Sequence, residues 1–125
     1  GITDVNSSIT SVNFKIIEEP DDRELVLAHP NRLASTEEVH AFMAEQGIQP
    51  EGPEYLARYA KEHPEEGLKF PIAALDPAKY LQDPGGLLRC VALWSDGGVR
   101  FFYLRWTDRL WRGIDRFVGS RKSTP

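Results

Sequence analysis

Two long apolar runs joined by a glycine-containing turn limit this 125-residue chain most severely. Residues 87–94 and 99–106 are dominated by Leu, Val, Phe, Tyr and Trp, and Ser95-Asp96-Gly97-Gly98 lies between them. An Asp-Gly pair between apolar runs is a strong hairpin signal. With Asp96-Gly97 as the turn, Trp94 opposes Val99, Ala92 opposes Phe101 and Cys90 opposes Tyr103. The other face then pairs Leu93 with Arg100, Val91 with Phe102 and Arg89 with Leu104. Both faces are mainly apolar. Such a hairpin has to sit centrally in a sheet or present its second face to a partner.

Upstream, Val12, Phe14 and Ile16 alternate with their neighbours as in a half-buried strand, and residues 25–28 suit a return strand after the Pro20-Asp21-Asp22 turn. Ser35-Thr36-Glu37-Glu38 has the form of a capping box. Val39, Phe42 and Met43 follow on one helical face, and Gly47 supplies a left-handed stop. A second helix begins near Pro53, with Leu56, Tyr59 and Ala60 on one side, Glu54 and Arg58 on its surface, and its end at His63-Pro64. The short connection predicts an antiparallel αα-hairpin. Residues 70–75 read as a strand that Pro71 confines to an edge, and Asp76-Pro77 as the start of a single helical turn. On a helical wheel, residues 107–118 place Arg109, Arg112 and Arg116 opposite Trp106, Leu110, Ile114, Phe117 and Val118, which predicts a C-terminal amphipathic helix.

The expected fold is a single α+β domain over residues 9–118, with flexible tails at 1–8 and 119–125. Its mainly antiparallel sheet carries an N-terminal hairpin and a central C-terminal hairpin, packed with the αα-hairpin and the C-terminal helix.

Charge is sorted along the chain. Residues 1–66 carry a net −9 and residues 67–125 a net +5, giving −4 overall. The acidic total argues against a general nucleic-acid coat and leaves only a local basic patch for such binding. A single cysteine excludes an internal disulfide and suits a cytoplasmic setting; no apolar run is long enough to cross a membrane. No spacing of histidines or cysteines resembles a metal site, and no glycine-rich loop sits where it would cradle a cofactor phosphate, so neither is expected.

The leading expectation is a small non-enzymatic interaction protein, contacting a protein partner or forming a homo-oligomer. Its candidate contacts are Arg100, Phe102, Trp106, Arg109, Arg112 and Arg116. Nucleic-acid binding through the basic, aromatic C-terminal third is the alternative, with the arginines on phosphates and Phe102 and Trp106 as stacking rings. A third reading is an enzyme using His29, with or without Cys90, although Cys90 falls mid-strand where a small buried side chain is the simpler account.

Overall fold

The computed structural model describes residues 2–5 and 23–121. In chain order the elements are β1 (Ile2–Val5), β2 (Glu24–Ala28), α1 (Thr36–Glu45), β3 (Gln49–Pro50), α2 (Pro53–Glu62), β4 (Ile72–Ala73), a 3₁₀ turn (Pro77–Lys79), β5 (Leu81–Gln82), β6 (Leu88–Asp96), β7 (Val99–Trp106) and β8 (Arg116–Arg121). The chain is a single α+β domain. Among the described residues its sheet has eight strands in the order β1-β7-β6-β4-β8-β2, with β3 also on β8 and β5 also on β6. The sheet is mixed, but among the described residues it is mainly antiparallel as expected: five of seven pairings run antiparallel, while β1 runs parallel to β7 and β4 parallel to β8.

The β6–β7 hairpin is central, as its two apolar faces require. Cys90 and Ala92 point into one core cluster and Val91 and Leu93 into the other. Its turn differs from expectation. Gly97 and Gly98, at φ +59° and +82°, occupy the two turn positions, and Asp96 pairs with Val99. A two-residue turn with positive φ at both positions suits two glycines better than Asp-Gly. The pairing therefore slides by two residues, to Trp94 with Phe101, Ala92 with Tyr103 and Cys90 with Arg105. Because the side-chain period is two, each residue keeps its expected face.

The first helix forms as read. The Ser35 hydroxyl accepts from the Glu38 amide while the Glu38 carboxylate accepts from the Ser35 amide. Val39 and Met43 are buried, and Gly47 follows at φ +70°. The second helix also starts at Pro53 and buries Leu56, Tyr59 and Ala60. Glu54 is not on its surface but buried, with Lys79 as its ion-pair partner at 3.7 Å; Arg58 pairs with Glu62 instead.

The αα-hairpin does not form. Between the helices, Gln49–Pro50 pairs with β8 as β3, so the chain passes through the sheet layer. α1 then packs with Ala73, Leu75, Cys90, Ala92 and Phe117 on one face, while α2 packs with Ile72, Ala74, Val91, Leu93 and Val118 on the other. Each face of the sheet is thus covered by one helix.

The amphipathic C-terminal helix is also absent. Residues 107–115 are largely irregular and residues 116–121 form β8, between β4 and β2. Phe117 and Val118 are consecutive and both buried because they face opposite sides of the sheet, which a strand covered on both faces demands and a helical wheel disguises. Gly119 is where the chain needs no side chain: a Cβ there would lie 2.3 Å from Ile48 Cγ2, 2.7 Å from the Gln49 carbonyl and 2.9 Å from Met43 Cε. Its lack of one lets α1 and β3 close onto β8.

Three smaller differences complete the picture. β4 is not an edge strand but lies between β6 and β8. Pro71 precedes it and lends only its carbonyl, which accepts from the Arg116 amide at 3.0 Å, so its missing N–H breaks no ladder bond. Residues 2–5 and 119–121, read as tails, are strand residues. The first arm of the expected N-terminal hairpin, residues 12–17, lies outside the described residues; its expected return arm is β2, antiparallel to β8.

Candidate functional site

The six residues expected to make contacts fall into three groups. Arg100 and Phe102 are interior. Arg100 is 3% exposed, and its Nη1 donates to the carbonyls of Ala60 (3.0 Å), His63 (3.2 Å) and Glu66 (3.0 Å), closing the C-terminal end of α2. A cation there satisfies carbonyls that the helix leaves unpaired and complements its dipole. Phe102 belongs to the core under α2. Trp106 is half-buried, with the guanidiniums of Arg89 and Arg109 over its ring at 4.6 and 4.4 Å. Arg109 and Arg112 are exposed, and Arg116 is half-buried with its guanidinium 3.8 Å from the Phe70 ring centre. The arginine stripe therefore does not exist as one face. Only Arg112 and Arg116 line a common depression, while Arg109 is turned to the Trp106 ring.

That segment is irregular but firmly held. Trp111 is buried, edge-on to Phe117 at 5.1 Å. Its amide and carbonyl form a bridge with Ala34, at 2.7 and 3.1 Å, and its indole Nε1 donates to Thr36 Oγ1 at 2.9 Å. Thr36 Oγ1 in turn donates to the Thr107 carbonyl at 2.6 Å. Arg105 stacks over Trp111 at 4.4 Å and pairs with the buried Asp115 at 3.2 Å, while the other Asp115 oxygen accepts from the Arg112 amide at 2.8 Å. One buried ring and one buried carboxylate thus fix the loop against the residues leading into α1.

Two features result. The first is a set of exposed aliphatic side chains. Leu33, Leu110 and Ile114, 62%, 55% and 48% exposed, sit on two loops joined by the Ala34–Trp111 bridge. Arg32, Arg109 and Arg112 accompany them in sequence, as do the exposed acids Glu37, Glu38 and Asp108. The Thr36–Thr107 bond brings the Glu37 and Asp108 ends of the two loops together. The helical wheel had buried Leu110 and Ile114; nothing else in the sequence marks these two as surface residues.

The second is a depression of about 550 Å³ lined by His29, Asn31, Lys69, Phe70, Arg112, Gly113, Ile114 and Arg116. Three chain segments meet there, and no carboxylate is among the lining residues. His29 Nε2 donates to the Gly113 carbonyl at 2.7 Å, which fixes the proton on that nitrogen. Asn31 holds φ +61°, the one non-glycine residue with positive φ among those described. Lys69, Phe70 and Asn31 were not singled out from sequence, since only folding brings them beside Arg112 and Arg116.

The other reactive side chains lie apart from this surface. Cys90 is buried in the core under α1, where burial pushes its thiol up to about 12, the opposite of an activated nucleophile. His40 shares a 2.8 Å hydrogen bond with the Leu75 carbonyl, and His63 stacks on Tyr59 at 4.3 Å. The Tyr59 hydroxyl donates to Glu66, and burial raises its pKa. No cluster of three or more His, Cys, Asp or Glu side chains suited to a metal occurs among the described residues. Among the same residues no helix is long and apolar enough to cross a membrane. No protein-family model matches the chain, and no curated protein or solved structure matches it.

Proposed function

We propose that this is a non-enzymatic interaction protein that acts by protein–protein contact, and that the contact is self-association through the Leu33–Leu110–Ile114 surface. The observation that carries the reading is the exposure of three large aliphatic side chains on two loops that a buried tryptophan holds rigid. Apolar residues on a preorganised surface with a polar rim are the ordinary anatomy of an interface. The rim carries both signs, with Arg109 and Arg112 against Glu37 and Asp108, while Arg32 and Glu38 pair with each other within the chain at 3.0 Å. A twofold operation lays such a patch on its own copy, so that cations of one protomer meet acids of the other. Of the six contact residues expected from sequence, Arg109 and Arg112 belong to this surface. The apolar hairpin face, first invoked for docking, is occupied by the protein's own helices. A cytoplasmic setting suits the single buried cysteine.

Sedimentation velocity on the full chain tests the reading. The expected result is a dimer whose population grows with protein concentration, shrinks in Leu110→Asp and Ile114→Asp, and weakens moderately with salt. A chain that sediments as a monomer at every concentration would overturn it.

A further inference from the structure

The basic depression shares Ile114 and Arg112 with that surface, and its ligand is inferred for the monomer without reference to self-association. Lys69, Arg112 and Arg116 converge on it from two separate segments, and none of the three makes an ion pair among the described residues. In a chain with 19 acidic and 15 basic side chains, the described residues that line the depression include these three cations and no carboxylate. The nearest carboxylate in sequence, Asp115, is buried and fully used by Arg105 and the Arg112 amide. Three cations lining one depression favour an anion there.

Two further observations describe the wall of the depression. The Arg116 guanidinium is held over Phe70, and its Nε is buried with no hydrogen-bond partner. Glu54 Oε2, Arg89 Nε, Arg100 Nε and Trp106 Nε1 share that state among the described residues, so at Arg116 it counts toward a ligand only because the residue lines the depression. Asn31 lies at the rim at φ +61°, the left-handed region that asparagine enters more readily than most residues, and so adds a side-chain amide to the wall. The remainder of the wall is apolar, from Phe70 and the half-exposed Ile114.

We propose that this depression binds a small phosphate monoester, with the phosphate against Lys69, Arg112 and Arg116 and an apolar or aromatic body against Phe70 and Ile114. A phosphate monoester carries about −1.5 to −2 charges at neutral pH, a better match to three cations than a carboxylate. Arginine forks bind phosphate oxygens in pairs. The volume of about 550 Å³ lies within the usual range for small-molecule sites.

Heteronuclear NMR titration of the full chain, at a concentration where it is monomeric, reads the site directly. Phenyl phosphate, inorganic phosphate and benzoate are the three probes. Phenyl phosphate is expected to shift the amides of Asn31, Gly113 and Ile114 saturably, and more tightly than either of the others. Lys69→Ala and Arg112→Ala each remove one exposed cation without touching the core, and each is expected to weaken binding by about tenfold, or ~1.4 kcal/mol. Leu110→Asp is expected to leave phenyl phosphate binding unchanged, which separates this site from the association surface. Equal binding of inorganic phosphate would overturn the apolar part of the proposal, and equal binding of benzoate the phosphate part. Unsaturable shifts, or full affinity in the Lys69→Ala/Arg112→Ala double variant, would overturn the whole.

Discussion

Replacing Arg100 by methionine tests how α2 is fixed to the sheet. In the native protein the Arg100 Nη1 lies within 3.2 Å of three carbonyls, those of Ala60, His63 and Glu66. That nitrogen carries two hydrogens, so at most two full bonds form at once. His63 is exposed and its carbonyl can turn to water, whereas Ala60 is completely buried. Methionine fills much of the aliphatic volume but donates nothing, which strands the Ala60 carbonyl and weakens the Glu66 contact. Two hydrogen bonds from a charged donor contribute about 1.5–3 kcal/mol each. Against this, methionine escapes the desolvation that burial imposes on the guanidinium, which lowers the Arg100 pKa. The net loss should be about 3 kcal/mol, because breaking such a set from one side leaves its acceptors unpaired. In urea unfolding, with an m-value of roughly 1.5 kcal/mol per M, the midpoint should fall by about 2 M with the slope unchanged. Arg100→Lys, which keeps charge and donors, should fall between. A loss below about 1 kcal/mol in Arg100→Met would refute the assignment of Arg100 as the cap of α2.

Trp111→Ala should cost about 3–5 kcal/mol in the same assay, since it empties the volume beneath the 107–115 loop and strips Thr36 of its indole donor. Gly119→Ala should cost about 1–3 kcal/mol, because the new methyl meets the Gln49 backbone carbonyl as well as two side chains and β3 has to move; a neutral result would show that α1 and β3 close less tightly than described. Glu51 is 2% exposed, bonded by Ser120 Oγ at 2.5 Å and paired with Arg23, and burial raises its pKa above the usual carboxylate value. A raised acid binds more protons folded than unfolded, so its ionisation removes stability as pH rises through the interval between the two pKa values. Glu51→Gln should therefore gain on the parent as pH climbs from about 4 to neutrality, and urea midpoints that run parallel over that range would contradict it.

Much of the fold was legible because local chemistry and tertiary context agreed. The Ser35 capping box, the Pro53 start and the apolar faces of both helices are local signals that the structure keeps. The centrality of β6–β7 followed from its two apolar faces. What failed was of another kind. Phe117-Val118 is equally apolar on a helical wheel and in a strand buried on both sides, and only pairing with β2 and β4 decides between them. Gln49–Pro50 offers no strand pattern at all, since two residues have no period, yet its pairing with β8 sends α2 to the opposite face. Of the proposed surfaces, Arg109, Arg112 and Arg116 were visible as an arginine cluster. Leu33, Asn31 and Lys69 were not, because they reach that cluster only through contacts distant in sequence.

The most direct test of the central claim is sedimentation velocity of the full chain and of Leu110→Asp across a wide concentration range. Leu110 is 55% exposed, so the substitution leaves the fold intact and changes only the surface. The account requires a concentration-dependent dimer in the parent and a monomer in the variant under the same conditions. Identical sedimentation of the two proteins, whether both monomeric or both associated, would contradict it.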